Sequence, residues 1–468
     1  MNRRTRHWLC AMVGASLYLG SAGLVASEDV SLTPEQMRAA AHMSLQTRQP
    51  RQGLALAEAL LKRDPEDVDA LILKSQALRD LGQYDDALDA ARTAYRLADT
   101  EAEIFAAAMV RAQALASKGA RTRAQAWLRI AGENAPDDEA RAVAVRDFRY
   151  LRKRNPWNTQ LSFSVAPTSN VNDGTTHDRI SYGGLQGVEP VGISRPLSGL
   201  SYSGSLTTRY RFSQSDTHET SVGLHLFGQS YILSDEAKDI APDASGSDFA
   251  YTSVAVGLVH EWEPEAWSTP VQFSLLTGRG WYGQEDYSRY TRAGVAKPFI
   301  LGKSTVLRLD AGAESFERLT DDAESFTLSG NAVLLHELDS GAALRFGLGL
   351  FDTQSDTGSL QRDRIRGEFG YTLAKPFAGA RVTLEAGLEQ IVYDEFPQPD
   401  YTYFPIVLSM DVERKDLTRR VGVSLWFEDI DYYGFSPTIT LSHEETSSTL
   451  DLYDTVETGL NFGFRSSF

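Results

Sequence analysis

From Trp157 to the end of the chain, apolar and polar residues alternate in short runs. Examples are Leu200-Tyr202-Leu206-Tyr210-Phe212, Val254-Val256-Leu258-Trp262, Leu344-Phe346-Leu348-Leu350 and Val421-Val423-Leu425-Phe427. A period of two is that of a strand with one apolar and one polar face. The last stretch, Thr455 to Phe468, follows the same rule: Leu460, Phe462, Phe464 and Phe468 share one parity, while Glu457, Asn461, Arg465 and Ser467 take the other.

The polar face of these runs is strongly charged. Arg308, Arg345, Arg364, Arg366, Glu368, Glu385 and Glu389 all lie opposite the apolar positions. A soluble sandwich seldom strings so many hairpins into one domain. A transmembrane barrel needs them, with its apolar face on lipid, its charged face in a lumen, and about 9 to 11 residues per crossing. Aromatic residues near run ends, among them Tyr210, Tyr231, Tyr251, Trp262, Tyr393 and Trp426, suit interface girdles.

The breaks alternate in length: 168–198, 233–248 and 352–361 are long, whereas 213–218, 264–269 and 338–341 are short. Fifteen runs can be counted, and a single-chain bacterial barrel has an even number of strands. The segment 402–412 is therefore expected to extend an external loop. That leaves fourteen strands, with sixteen the next choice.

Upstream the period becomes helical. Residues 68–101 repeat in 105–138 and, more loosely, in 34–67, with Gly82 and Gly119 at turns and Ala87, Ala94, Ala124 and Ala131 at close helix contacts. This is the spacing of tetratricopeptide (TPR) repeats, whose stacked pairs form a concave groove. The groove lining by register is Arg38, His42, Asp69, Gln76, Arg79 and Gln113. Pro156 biases Asn155 away from helix and marks the change of domain. The fold class is therefore α+β multidomain, an α-helical TPR solenoid over 28–154 followed by a transmembrane antiparallel β-barrel over 155–468.

Residues 1–27 read as an export signal, with Arg3, Arg4 and Arg6 before an apolar stretch and Val25-Ala26-Ser27 as the cleavage site. Its removal takes the net charge from −17 to −20 and removes Cys10, the only cysteine of the 468 residues. The acidic balance excludes a nucleic-acid partner, and the lost cysteine excludes disulfides and a thiol nucleophile. Mean hydropathy of −0.30 speaks against helical membrane spans without touching the barrel reading. Histidines are scattered and phosphate-cradling loops absent, so no catalytic residue, metal or cofactor is expected.

Several short motifs add a resemblance. Asn170-x-Asn172 after the first barrel strand, Arg414-Lys415-Asp416, Tyr433-Gly434-Phe435-Ser436-Pro437 and Tyr453 before the last strand resemble the surface lipoprotein assembly modulators, outer-membrane translocons of type XI secretion. Ser447-Ser448-Thr449 departs from the Ser-Asn pair expected in the last external loop. The resemblance implies a monomeric translocon that passes a client surface lipoprotein, or a secreted capture protein, from periplasm to cell surface. Phe462, Phe464 and Phe468 would then belong to the signal read by the barrel-insertion machinery, and outer-membrane lipid would surround the barrel. An exopolysaccharide export porin, which also joins TPR repeats to a barrel, is the alternative. Its usual helical arrays are longer than three repeats.

Overall fold

The computed structural model describes residues 32–402, 405–430 and 432–466. The export signal lies outside the described residues, as does Phe468.

Seven helices come first: α1 (Pro34–Gln46), α2 (Pro50–Arg63), α3 (Val68–Asp80), α4 (Tyr84–Leu97), α5 (Glu101–Ser117), α6 (Arg121–Glu133) and α7 (Asp138–Arg154). Their starts are set locally. Thr33 with Gln36 and Thr100 with Glu103 form capping boxes, and Asp67 and Asp137 cap α3 and α7. Ala41, Ala57, Ala87, Ala94, Ala107, Ala124 and Ala131 have no exposed surface. Short side chains there allow the helices to approach closely, and Leu60, Leu115 and Leu128 fill the remaining space. Gly82 (φ 79°) and Gly119 (φ 88°) turn the chain after α3 and α5, whereas Arg48 adopts φ 59° in the corresponding turn after α1.

The remaining chain closes a barrel of fourteen antiparallel strands. In chain order these are β1 (Trp157–Thr168), β4 (Gly199–Gln214), β5 (His218–Leu233), β6 (Tyr251–Trp262), β7 (Val271–Tyr282), β8 (Glu285–Ile300) and β9 (Thr305–Arg318). Then follow β10 (Ala323–Glu337), β11 (Ala343–Gln354), β12 (Arg362–Thr372), β13 (Arg381–Asp400), β14 (Leu408–Trp426), β15 (Phe435–Ser448) and β16 (Thr455–Ser466). The short hairpin β2 (Ile180–Tyr182) and β3 (Leu185–Val188) lies within the first loop, and α8 (Asp235–Ile240) within the loop between β5 and β6. β1 pairs with β16, so the meander closes on itself. Leu161, Leu258, Leu275, Leu328, Phe346, Leu350, Ile365, Leu388, Val421 and Phe464 are exposed. In water so many large apolar residues on one surface would be costly, whereas against lipid they are solvated.

The helices enter at one end of the barrel, called here the near end, and β16 also finishes there. Fourteen strands satisfy that parity. Leu408–Val412 is not a separate crossing. It pairs with Phe396–Asp400, and the β13–β14 hairpin so formed continues beyond β12, whose pairing with β13 stops at Asp363↔Val392.

Loop lengths follow the expected alternation only in part. At the far end the β7–β8 turn is Gly283-Gln284, both at positive φ (57° and 70°), the two-residue geometry that matches strand twist. At the near end, 427–434 is long because it makes the contacts with the helices described below.

Candidate functional site

Strand parity sends one set of side chains into the lumen, and register decides which of them meet. Arg345 on β11 reaches Glu368 on β12 at 2.7 Å; Arg366 lies 3.0 Å from Glu389, its opposite number on β13, and 3.7 Å from Glu368. Arg308 pairs with Asp310 on its own strand at 2.9 Å. Arg292 with Glu314 and Arg420 with Glu444 extend the series. Arg364 instead lies 3.9 Å above the Phe351 ring. Glu385 joins Arg345, Glu368, Arg420 and His336 around a cavity of about 620 Å³. These partly exposed pairs each contribute about 0–1 kcal/mol to stability. They line the lumen with interleaved charges rather than a field of one sign.

Aromatic residues at strand ends divide between the two faces, because parity and not position along the strand chooses the face. Tyr210 and Trp262 face outward and are partly exposed, Tyr210 against Trp157 at 4.8 Å. Trp426 is covered by Arg465 at 4.4 Å, and Tyr393 is 6 % exposed beside Arg414, so these two belong to the interior and not to a girdle.

The expected groove positions fall on α1, α3 and α5, the first helix of each pair. Arg38 donates to Asp67 at 2.7 Å and lies 3.8 Å from Asp69. The bond to Asp67 raises the Arg38 pKa further. Arg79 bonds Gln113 on α5 and its neighbour Asp80 at 2.7 Å. These contacts join α1 to α3 and α3 to α5. His42 is exposed and Gln76 half-buried.

Sequence reading missed the residues that hold the helices to the barrel. Arg129 on α6 donates to the carbonyls of Tyr433 and Gly434 at 2.9 and 2.8 Å, and the Tyr433 amide donates to Glu133 at 2.8 Å. The Arg129 guanidinium also lies over Phe148 of α7 and Phe435 of β15, at 4.9 and 4.5 Å. Arg211 on β4 donates to the carbonyls of Lys153 and Asn155. Tyr433-Gly434-Phe435 was visible as a motif, but its partners on α6 and α7 are about 300 residues away.

The other motifs also act by fixing loops. Asn170 exchanges hydrogen bonds with Gly174, and Asn172 bonds the Ile193 and Arg195 carbonyls and the Leu197 amide, which folds the first loop on itself. Val171 and Leu197 of that loop pack with Leu233, Ala237 and Ala241. Asp173 of the same loop stands exposed at the far mouth. Arg414 makes two hydrogen bonds to Asp416 and lies 3.4 Å over Tyr453, with Phe396 and Tyr393 completing the enclosure. Ser448 donates its amide to Asp454, so the departing Ser-Ser-Thr segment is itself bonded into the last loop.

Among the described residues, no group of three His, Cys, Asp or Glu could hold a metal ion. His225, His260, His336 and His443 each bond a threonine hydroxyl on the adjacent strand. Phe462 and Phe464 lie on the outer face of β16, 45 % and 59 % exposed.

A closed barrel with an apolar outside and a charged inside is the architecture of an outer-membrane protein. More particularly, the chain belongs to the surface lipoprotein assembly modifier family, whose model matches residues 157–468, the whole barrel. Among solved structures, it is similar to a BenF-like porin from Pseudomonas fluorescens Pf-5 (9% identity, 66% of this chain and 98% of that one, TM-score 0.35). It is also similar to an outer-membrane channel from Pseudomonas putida F1 (12% identity, 65% and 93%, TM-score 0.32). The type III secretion translocator chaperone SycD of Yersinia enterocolitica is similar over 29% of this chain and 96% of its own, at 18% identity and TM-score 0.24. No curated protein matches the chain.

Proposed function

We propose that the protein carries surface lipoproteins, or related secreted capture proteins, across the outer membrane, and that it does so without catalysis. The near end then faces the periplasm and the far end the cell surface. The groove along α1, α3 and α5 receives an extended segment of the client, with Arg38, His42, Asp69, Gln76, Arg79 and Gln113 offering polar contacts. The barrel lumen is the onward path. Paired charges such as Arg345–Glu368 and Arg366–Glu389 keep that path hydrated while giving a moving polypeptide no single adhesive patch.

The observation that carries this reading is the family match over a barrel whose near end is bonded directly to a helical domain. Export of polysaccharide is the second reading. Tyr231 and Tyr251, at inward parity, favour it, since sugars stack on such rings. Family membership weighs more heavily against it.

Deletion of residues 31–153 is the test. The shortened protein is expected to insert as a folded barrel while surface display of the client falls. Undiminished display would rule out the groove as the receiving site. Loss of surface polysaccharide with normal lipoprotein display in a deletion strain would favour the second reading.

A further inference from the structure

The joint between the helices and the barrel is basic and free of acid. No Asp or Glu lies between Asp147 and Asp173, although the chain holds 63 acidic residues against 46 Lys and Arg. Arg149, Lys153 and Arg154 fall in this stretch, on the last turns of α7, and all three are exposed. Cations at a helix C-terminus ordinarily complement its free carbonyls. Here Arg211 on β4 already does so: its guanidinium donates to the carbonyls of Lys153 and Asn155 at 3.2 and 3.3 Å, and Glu219 balances its charge at 3.1 Å. Arg154 lies 3.8 Å over the ring of exposed Tyr150, and among the described residues no ion pair engages Arg149 or Lys153. These three charges are therefore left for a partner outside the chain.

The barrel fixes where that joint stands. Only Asn155 and Pro156 separate α7 from Trp157, whose ring packs on Tyr210, both of them exposed on the outer face. Phe212, on the same face and two residues nearer the near end, is exposed as well. The lipid-facing surface thus continues to the level of Arg211, whose amide donates to the Pro156 carbonyl at 2.8 Å. Three residues of chain span at most about 11 Å, so Arg154 stands close to Trp157 whatever the local bend. Outward aromatic rings at a barrel rim settle at the level of the lipid headgroups. Lys297 marks the same boundary further round the near rim, where its ammonium lies 3.8 Å over Trp267 and donates to the Thr269 carbonyl at 3.0 Å.

We infer that Arg149, Lys153 and Arg154 bind the phosphate headgroups of anionic phospholipid in the leaflet at the near end, with Tyr150 and Trp157 seated beside them. The inference does not depend on what the barrel transports. A protein of net charge −17 is repelled by an anionic membrane surface as a whole, so an acid-free basic turn beside its lipid-facing wall is the place where the two attract. That attraction fades within a Debye length, about 10 Å at 0.1 M salt, and the joint lies inside that distance of the rim. The guanidinium fork suits phosphate oxygens, and long basic side chains lay their stems on apolar surface while the charged heads reach the headgroup layer. Arg211 then holds the end of α7 to the barrel while the helix's own cations hold it to the bilayer.

The test titrates the full chain, folded in an uncharged detergent, with phosphatidylglycerol carrying a fluorophore on one acyl chain, and with phosphatidylcholine of the same chains. Phosphatidylglycerol is expected to bind at least about tenfold more tightly, with the preference shrinking as salt rises. Arg149→Gln, Lys153→Gln and Arg154→Gln together should bring its affinity down to that of phosphatidylcholine. Arg149→Lys with Arg154→Lys, which keeps the charges, should stay within about threefold of the unmodified protein. Equal affinity for the two lipids overturns the inference, and so does a triple Gln variant that keeps the preference. Displacement of the lipid by inorganic phosphate at equal concentration also overturns it, because the site would then take the free anion. The altered gel mobility of the folded barrel checks each variant. Should the triple variant fail that check, Lys153→Gln alone decides: a loss of about three- to fivefold is expected, and an unchanged affinity overturns the inference.

Discussion

Arg129 and Tyr433, 304 residues apart in sequence, are joined by a 2.9 Å hydrogen bond from guanidinium to carbonyl. The same guanidinium reaches Gly434 and lies between Phe148 and Phe435, so one side chain ties α6 and α7 to the near rim of the barrel. Hydrogen bonds from a charged donor contribute about 1.5–3 kcal/mol each. Arg129→Ala is therefore expected to release the helical domain from the rim without unfolding either part. Limited proteolysis between Arg152 and Pro156 should accelerate several-fold, with the barrel band unchanged. An unaltered cleavage rate would mean that the rim contacts contribute little to docking.

The helical turns give a prediction of opposite signs. Arg48 holds φ 59°, a conformation that costs a side-chain-bearing residue about 1–2 kcal/mol, while Gly82 adopts φ 79° with open space where a Cβ would stand. Arg48→Gly should stabilise the helical domain by about 0.5–1 kcal/mol after the entropic cost of glycine, and Gly82→Ala should destabilise it by about 1 kcal/mol. Thermal melts followed by helical ellipticity distinguish the two. Shifts of the same sign would contradict the backbone argument.

Much of the fold was legible because its signals are local. Period-two alternation gave the strands, and the requirement of an even number correctly removed 402–412 as a crossing. Glycine and alanine spacing gave the helix pairs. What sequence could not supply was pairing. That Arg345 meets Glu368, or that Arg129 meets Tyr433, depends on register and docking across long separations. Motifs such as Asn170-x-Asn172 carried a family likeness without their physical role, which is to fold a loop. Aromatic residues misled where strand-end position was read without parity, as at Tyr393 and Trp426.

Arg414 and Asp416 test the value of a motif in a water-poor setting. Both side chains are largely buried, at 12% and 5% relative exposure, and Tyr453 stacks on the guanidinium. Arg414→Ala leaves the Asp416 charge uncompensated and is expected to cost about 3–5 kcal/mol. Arg414→Lys should recover part of this while losing the planar stacking and the two-pronged bond. The denaturant midpoint of the folded barrel, read by its altered gel mobility, reports the order wild type, Lys, Ala. An Ala variant as stable as wild type would remove the motif's structural role.

The central claim is transport of a lipoprotein to the surface, and protease shaving of intact cells measures it most directly. Each lipoprotein encoded beside this gene is expressed with and without the protein, and its protection is compared with that of a periplasmic marker. At least one is expected to be digested only when the protein is present. If every one is equally protected, or equally digested, in both strains, the account is contradicted.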